Sequence, residues 1–171
     1  MPNAVLIADM VKGFLEEGNP LYCGDAARRI IPHIQQLLER EIARGAKIFY
    51  LCDHHTPDDP EFKMFPPHCV EGTSEVEVIP ELSPYPGEIM PKKHYSAFIA
   101  THLEEKLNQF APEKVIICGV CTDICILHTV ADLRNRDYPV EVPIDCVASF
   151  DEEAHRFALR HMEKVLGAKL V

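Results

Sequence analysis

The sequence contains no tryptophan, no basic cluster and no apolar run near the roughly 20 residues that a membrane-spanning helix needs. It carries 27 acidic and 17 basic residues, for a net charge of −10 at pH 7. Surfaces that bind nucleic acids or anionic membranes need basic patches, so neither partner is expected. The N-terminus begins on a strand pattern rather than on a signal sequence, and we expect a cytoplasmic protein.

Disulfide-stapled folds are also not expected. The seven cysteines are an odd number and no secretory signal accompanies them, so reduced thiols are predicted. A length of 171 residues favours one domain spanning 1–171.

Strand and helix patterns alternate along the chain. This order predicts an α/β single-domain three-layer sandwich, with a mostly parallel, roughly six-stranded sheet covered by helices on both faces. Strand patterns fall at 4–8, 47–52, 88–90, 115–118, 140–144 and 168–171, and helix patterns at about 25–44, 96–109, 122–133 and 152–166.

Reactive side chains follow four of these strands. Asp9 ends the first strand, Asp53 and His55 end the second, Lys92 ends the third, and Cys125 follows the fourth. Ligands of parallel sheets bind beyond the carboxyl ends of the strands, so we expect these groups to share one rim.

Asp9, Lys92 and Cys125 together predict nucleophilic catalysis. Cys125 is expected in the first turn of a helix, where the dipole favours a thiolate. A carboxylate can take the thiol proton, and an ammonium group can stabilise the resulting anions. Taken singly, each residue is better explained as a structural group; their joint placement favours catalysis.

A second cluster lies in the long segment at about 53–88. Asp53 and His55 are two residues apart and can point the same way in an extended segment, and Glu61 and His68 follow in the same loop. Such donors suit a divalent metal, Zn above all, with Fe or Mn as alternatives. A solvated acidic loop is the competing interpretation.

Cys118 and Cys121 have the Cys-x-x-Cys spacing of a redox dithiol. Cys118, however, ends a buried strand pattern rather than beginning an exposed helix. A thiol redox or binding module is therefore the less favoured hypothesis.

Several separated motifs resemble those of the isochorismatase-like cysteine hydrolases, most closely the nicotinamidases. They are GVCTDIC at 119–125, KKHYSAF at 92–98, DHH at 53–55 and PPHCVEGT at 66–73. The resemblance covers nearly the whole chain, in the family's order.

The resemblance implies a role for each matching residue. Cys125 would be the nucleophile, Asp9 the acid and base, and Lys92 the third member of the catalytic triad. The amides of Cys121 and Cys125 would form an oxyanion hole, with a cis peptide preceding Cys121.

The same resemblance implies a metal site and a substrate pocket. Asp53, His55 and His68 match metal ligands, with Glu61 at the place of a fourth. The implied reaction is hydrolysis of nicotinamide to nicotinate and ammonia through a Cys125 thioester, linked to NAD salvage. The aromatic residues matching the walls of the substrate pocket are Phe14, Phe65 and Tyr95.

Some positions depart from the family pattern. Val11 and Gly13 replace a glutamine and an aspartate, and Phe65 replaces a common tryptophan. These changes leave a related hydrolase of another small amide or vinyl ether as the alternative. Compact members of this kind often associate, so a homo-oligomer is also expected.

Overall fold

A computed structural model describes all 171 residues. Its centre is one sheet of seven strands in the order β3-β2-β1-β4-β5-β7, with β6 beside β4, and every strand pair is parallel. The predicted fold class is confirmed. The strands are β1 Ala4–Ala8, β2 Lys47–Asp53, β3 Glu88–Lys92, β4 Val115–Val120, β5 Val140–Val142, β6 Val147–Ala148 and β7 Lys169–Leu170.

Helices cover both faces of the sheet. None of them is long and apolar enough to cross a membrane. They are α1 Lys12–Leu15, α2 Asp25–Arg29, α3 Ile31–Ala43, α4 Leu103–Phe110, α5 Leu127–Asn135 and α6 Glu152–Lys164.

The two apolar cores follow from the alternation of side chains along the strands. In β1, Val5 and Ile7 pack against the layer of α2 and α3, whereas Leu6 packs with α4, α5 and α6 on the other face. All five residues of β1 are buried. A central parallel strand covered on both faces needs this continuous apolar run.

The helix expected from residue 96 begins only at Leu103, so that boundary was wrong. Ser96 does not cap a helix; its hydroxyl donates to the Asp132 carboxylate at 2.5 Å and accepts from the Phe98 amide. Ala100 adopts a left-handed φ of 56°, which interrupts any helix here.

The fifth strand is also shorter than expected. It ends at Val142, before Pro143, and a short helical turn then leads into β6 at Val147. β6 was not predicted; it lies beside the end of β4, where Gly119 pairs with Val147. A two-residue strand has no periodicity that a sequence pattern could reveal.

Candidate active site

The carboxyl edge of the sheet brings the predicted reactive residues together. Asp53 and Lys92 are register partners at the ends of β2 and β3. Asp9 follows β1, and its Oδ1 accepts from the Asp53 amide at 2.9 Å. Cys125 lies in a π-helical turn, Thr122–Ile126, that connects β4 to α5.

Lys92 is the centre of one group. Its ammonium nitrogen lies 3.1 Å from Asp9 Oδ2, 2.5 Å from Asp53 Oδ1 and 3.3 Å from Cys125 Sγ. The His94 carbonyl, at 3.1 Å, also accepts from it. The Lys92 side chain is fully buried, so the two carboxylates are what make a buried ammonium tolerable.

The protonation state of Cys125 differs from the sequence-based expectation. Burial and the Asp9 carboxylate raise the pKa of the Cys125 thiol well above its usual value, and Lys92 offsets them only in part. The expected helix-dipole preference for a thiolate is therefore wrong for the resting site. A dipole effect of about 1 kcal/mol cannot balance full burial next to a carboxylate.

Asp9 is suited to accept the proton of the Cys125 thiol. Burial and the Asp53 carboxylate raise the pKa of Asp9 to about 6, with Lys92 acting in the opposite direction. At neutral pH the carboxylate is thus mainly ionised, and one of its oxygens lies within 4.8 Å of the Cys125 sulfur. Such a pair can transfer one proton as the sulfur attacks an electrophile.

A second group gathers the four predicted metal donors. His68 Nε2 lies 3.0 Å from Glu61 Oε2 and 3.6 Å from Asp53 Oδ2. His55 Nε2 lies 3.2 Å from Asp53 Oδ2 and 3.5 Å from Glu61 Oε2. All four ligand atoms lie within 4.8 Å of one another.

The far nitrogens of both imidazoles are held by other partners. His55 Nδ1 contacts Asp59 Oδ2 at 2.9 Å, and His68 Nδ1 donates to the Pro66 carbonyl at 2.8 Å. These contacts fix both rings so that each Nε2 faces the carboxylates, where a bound cation would take the place of a proton. Asp59 was not predicted from the sequence, although an acid four residues after His55 in the same loop was a usable signal.

The donor set fits a divalent ion such as zinc. Bonds of about 2.0–2.2 Å in tetrahedral geometry place neighbouring ligand atoms about 3.3–3.6 Å apart. The four imidazole-to-carboxylate separations, 3.0 to 3.6 Å, lie at or slightly below that spacing. Burial lowers the pKa of His68, but hydrogen bonds to Asp53 and Glu61 outweigh it and raise that pKa to about 10. Two imidazoles and two carboxylates packed this closely form a strongly cation-attracting site.

One pocket joins the two groups. Its walls include the three predicted aromatic residues and Cys121, together with three residues that were not predicted, Leu21, Ile124 and Phe150. Phe150 follows the carboxyl end of β6, so its position could not be predicted without that strand. The enclosed space is only about 20 Å³, and the side chains of Phe65, Tyr95 and Phe150, which are partly exposed, must move to admit a ring.

The peptide between Val120 and Cys121 is cis, as the resemblance implies. The Cys121 amide makes no hydrogen bond with any protein group. It is therefore free to bind a ligand next to the Cys125 sulfur.

Gly13, one of the departures from the family pattern, has a steric reason. A Cβ at this position would lie 2.6 Å from Cys69 Sγ and about 3.0 Å from Glu75 Oε1. Glu75 Oε1 in turn accepts from the Cys69 amide at 3.3 Å. A carboxylate from another segment thus occupies the space of the side chain that Gly13 lacks, beside the Cys69 amide.

A parallel sheet that places a thiol, a carboxylate and an ammonium group at its carboxyl edge has the arrangement of an α/β cysteine hydrolase. The chain belongs to the isochorismatase family, whose domain it matches over residues 3–170. It is an enzyme of the amidohydrolase type.

Individual relatives agree with this assignment. The structure of a pyrazinamidase/nicotinamidase from Streptococcus mutans superposes with a TM-score of 0.94 at 35% identity, covering 99% of both chains. The isochorismatase family protein PncA of Bacillus subtilis, named as uncharacterized, is 34% identical over 99% of both chains. A pyrazinamidase of Pyrococcus horikoshii, solved in complex with zinc, has a TM-score of 0.90 at 28% identity and covers 100% of this chain and 99% of its own.

Proposed function

We propose that the protein is a metal-dependent nicotinamidase, which hydrolyses nicotinamide to nicotinate and ammonia. The observation that carries this proposal is the position of Asp53. Its Oδ1 contacts Lys92 and its Oδ2 faces the two histidines, so one carboxylate joins the thiol group to the metal donors. Similarity to nicotinamidase and pyrazinamidase structures supports the choice of substrate.

The chain's own residues supply the acyl transfer. Asp9 takes the proton of the Cys125 thiol as the sulfur attacks the carboxamide carbon. The Cys121 and Cys125 amides hold the oxyanion, and the Lys92 ammonium stabilises the nearby anions.

Collapse of this intermediate breaks the carbon–nitrogen bond. Asp9 returns its proton to the departing nitrogen, ammonia leaves, and a thioester remains on Cys125. Asp9 then removes a proton from water, which attacks the thioester and releases nicotinate and the thiol.

The donor set of Asp53, His55, His68 and Glu61 would hold the metal, with zinc as the favoured ion. When bound, a metal here supplies a Lewis acid with open positions that can hold the pyridine nitrogen. Phe14, Phe65 and Tyr95 would then enclose the ring, since all three line the pocket beside this donor set.

We further propose that the reaction takes place in the cytoplasm and supplies nicotinate to NAD salvage. All seven cysteines are free thiols, which is typical of a reducing compartment. The proposed binding partner is the small amide substrate, and we propose no binding to nucleic acids or membranes. We also propose that the protein self-associates.

The test is release of ammonia and nicotinate from nicotinamide by the purified zinc-loaded protein. We expect Cys125→Ala to abolish turnover and removal of zinc by a chelator to suppress it. Cys146→Ala, which removes another buried thiol that does not line the pocket, should retain it.

Turnover that survives Cys125→Ala would contradict the mechanism. Failure to hydrolyse nicotinamide, with Cys125-dependent hydrolysis of another small amide, would replace the substrate and keep the hydrolase.

A further inference from the structure

A second pair of thiols lies at the wall of the pocket. Cys23 Sγ and Cys121 Sγ are 3.6 Å apart, although 98 residues separate them in the chain. Both side chains are buried. We propose that Cys23 and Cys121 form a reversible disulfide that switches the pocket off; its effect on turnover rests on the proposed function.

No other cysteine pair in the protein has this contact. Cys121 is also part of the Cys-x-x-Cys motif, but Cys118 lies inside β4, is fully buried, and has no contact with the Cys121 sulfur. The sulfurs of Cys52, Cys69 and Cys146 instead contact oxygen atoms of Tyr50, Glu75 and Asp145. The two thiols that are close enough to form a disulfide are therefore Cys23 and Cys121, which are distant in sequence, and not the two cysteines of the Cys-x-x-Cys motif.

The two sulfurs need only a small movement to bond. A disulfide has a sulfur–sulfur distance of about 2.05 Å, so the atoms must approach by about 1.5 Å. Cys23 ends the segment between α1 and α2, which is exposed at residues 17 and 18 and is followed by Gly24 with a φ of 88°. A surface segment of this kind can shift toward the more rigid turn that carries Cys121.

A bond between these sulfurs would alter the site directly. Cys121 lines the pocket and its free amide is the proposed oxyanion donor. The Cys23 amide donates to the Phe14 carbonyl at 2.9 Å, so movement of Cys23 also reaches an aromatic wall of the pocket. The oxidised pair therefore displaces both the anion donor and the ring-binding surface.

The oxidant we propose is a small hydroperoxide, which can reach Cys121 through the pocket. The Cys121 sulfur attacks one peroxide oxygen and becomes a sulfenic acid, while the other oxygen leaves as an alcohol or water. The Cys23 sulfur then attacks the sulfenic sulfur of Cys121 and forms the disulfide. The hydroxyl group of the sulfenic acid takes up the Cys23 thiol proton and leaves as water. Two thiols are oxidised, one peroxide is reduced, and a dithiol reductant reverses the bond.

The reaction should be slow. The hydrogen bond of the Cys121 thiol with Cys23, together with burial, raises the pKa of this thiol well above its usual value. Little thiolate is present at neutral pH, and thiolate is the reactive form. The pair is thus suited to respond to sustained rather than brief oxidation.

The first experiment maps the bond without using activity. Zinc-loaded Cys125→Ala protein is treated with hydrogen peroxide, its free thiols are alkylated, and tryptic peptides are examined by mass spectrometry. Cys23 lies in peptide 13–28, whereas Cys118 and Cys121 share peptide 115–134. We expect the two peptides to be cross-linked with loss of two hydrogens, and dithiothreitol to separate them.

Two results of that experiment would overturn the proposal. One is full alkylation of Cys23 after oxidation. The other is loss of two hydrogens within peptide 115–134 alone, which would assign the bond to Cys118 and Cys121. Because this readout does not need turnover, it stands even where the proposed substrate is wrong.

The second experiment measures turnover with diamide, an azo oxidant that joins neighbouring thiols and is reduced to a hydrazine. We expect diamide to lower the rate of nicotinamide hydrolysis roughly hundredfold, because one oxyanion donor is then misplaced. Dithiothreitol should restore the rate. Cys23→Ser should keep basal turnover and resist diamide, whereas Cys146→Ser should remain sensitive. Equal sensitivity of Cys23→Ser and the unmodified protein would contradict the proposed effect.

Discussion

Asp53 contacts two different partners with its two carboxylate oxygens. The Lys92 ammonium, the two imidazoles and hydrogen bonds hold the pKa of Asp53 well below its usual value, although burial acts in the opposite direction. The carboxylate therefore stays ionised and can serve Lys92 and a cation together. We therefore expect a change at Lys92 to alter the metal donors, and a change at the metal donors to alter Lys92, because both contact this side chain.

At the same scale, Asp59 is predicted to control the metal site without binding the ion. Asp59→Asn weakens the contact to His55 Nδ1 that fixes the orientation of this imidazole. We expect zinc affinity to fall about 10- to 100-fold, measured by competition with a coloured chelator.

Asp58→Asn is the matched control, because Asp58 is the exposed neighbour and contacts neither histidine. Equal zinc affinity in the Asp59 and Asp58 variants would contradict the role assigned to Asp59.

At the scale of elements, the end of β4 depends on Gly119. Its φ is 112°, and a Cβ there would lie 2.1 Å from the Ala8 carbonyl oxygen of β1. This close approach brings the strand end that precedes Asp9 next to the turn that carries Cys125. Since the obstructing atom belongs to the backbone, a side chain cannot be accommodated by a rotamer change.

Gly119→Ala is therefore expected to lower the free energy of unfolding by more than about 4 kcal/mol, measured by urea denaturation. Gly45→Ala is the control, because Gly45 also has a positive φ, of 80°, but a Cβ there meets no atom within 4 Å. Its expected cost is only about 1 kcal/mol. Similar costs for both variants would show that close approach to β1 is not what requires Gly119.

The sequence predicts an element well where neighbouring residues determine it, and poorly where a contact between distant residues determines it. The buried runs of β1, β2 and β4 are local signals, and they correctly placed Asp9, Asp53 and Cys125 on one rim. The start of α4 was missed because Ser96 bonds Asp132, 36 residues further along the chain. The thiol state of Cys125 was missed because burial and the approach of Asp9 exist only in the folded protein.

At the scale of the whole molecule, metal binding should stabilise the fold, because the four donors come together only in the folded chain. A ligand at 100 times its dissociation constant adds about 2.7 kcal/mol. For a chain of this length that corresponds to a rise in Tm of about 5–10 °C. The measurement is thermal unfolding by circular dichroism, with and without zinc, on chelator-treated protein.

Two variants locate the ion. Glu61→Gln should reduce the zinc-dependent rise in Tm, whereas Cys125→Ala should keep it. The opposite pattern would place the ion at the other cluster of donors, Asp9, Asp53 and Cys125.

The most direct test of the nucleophile is to trap the acyl group on the chain. Zinc-loaded protein is mixed with nicotinamide, quenched in acid during turnover, and peptide 115–134 is examined by mass spectrometry. The mechanism predicts a nicotinoyl thioester on Cys125, absent from Cys125→Ala. Turnover of nicotinamide with no adduct on Cys125, or with an adduct on another residue, would contradict it.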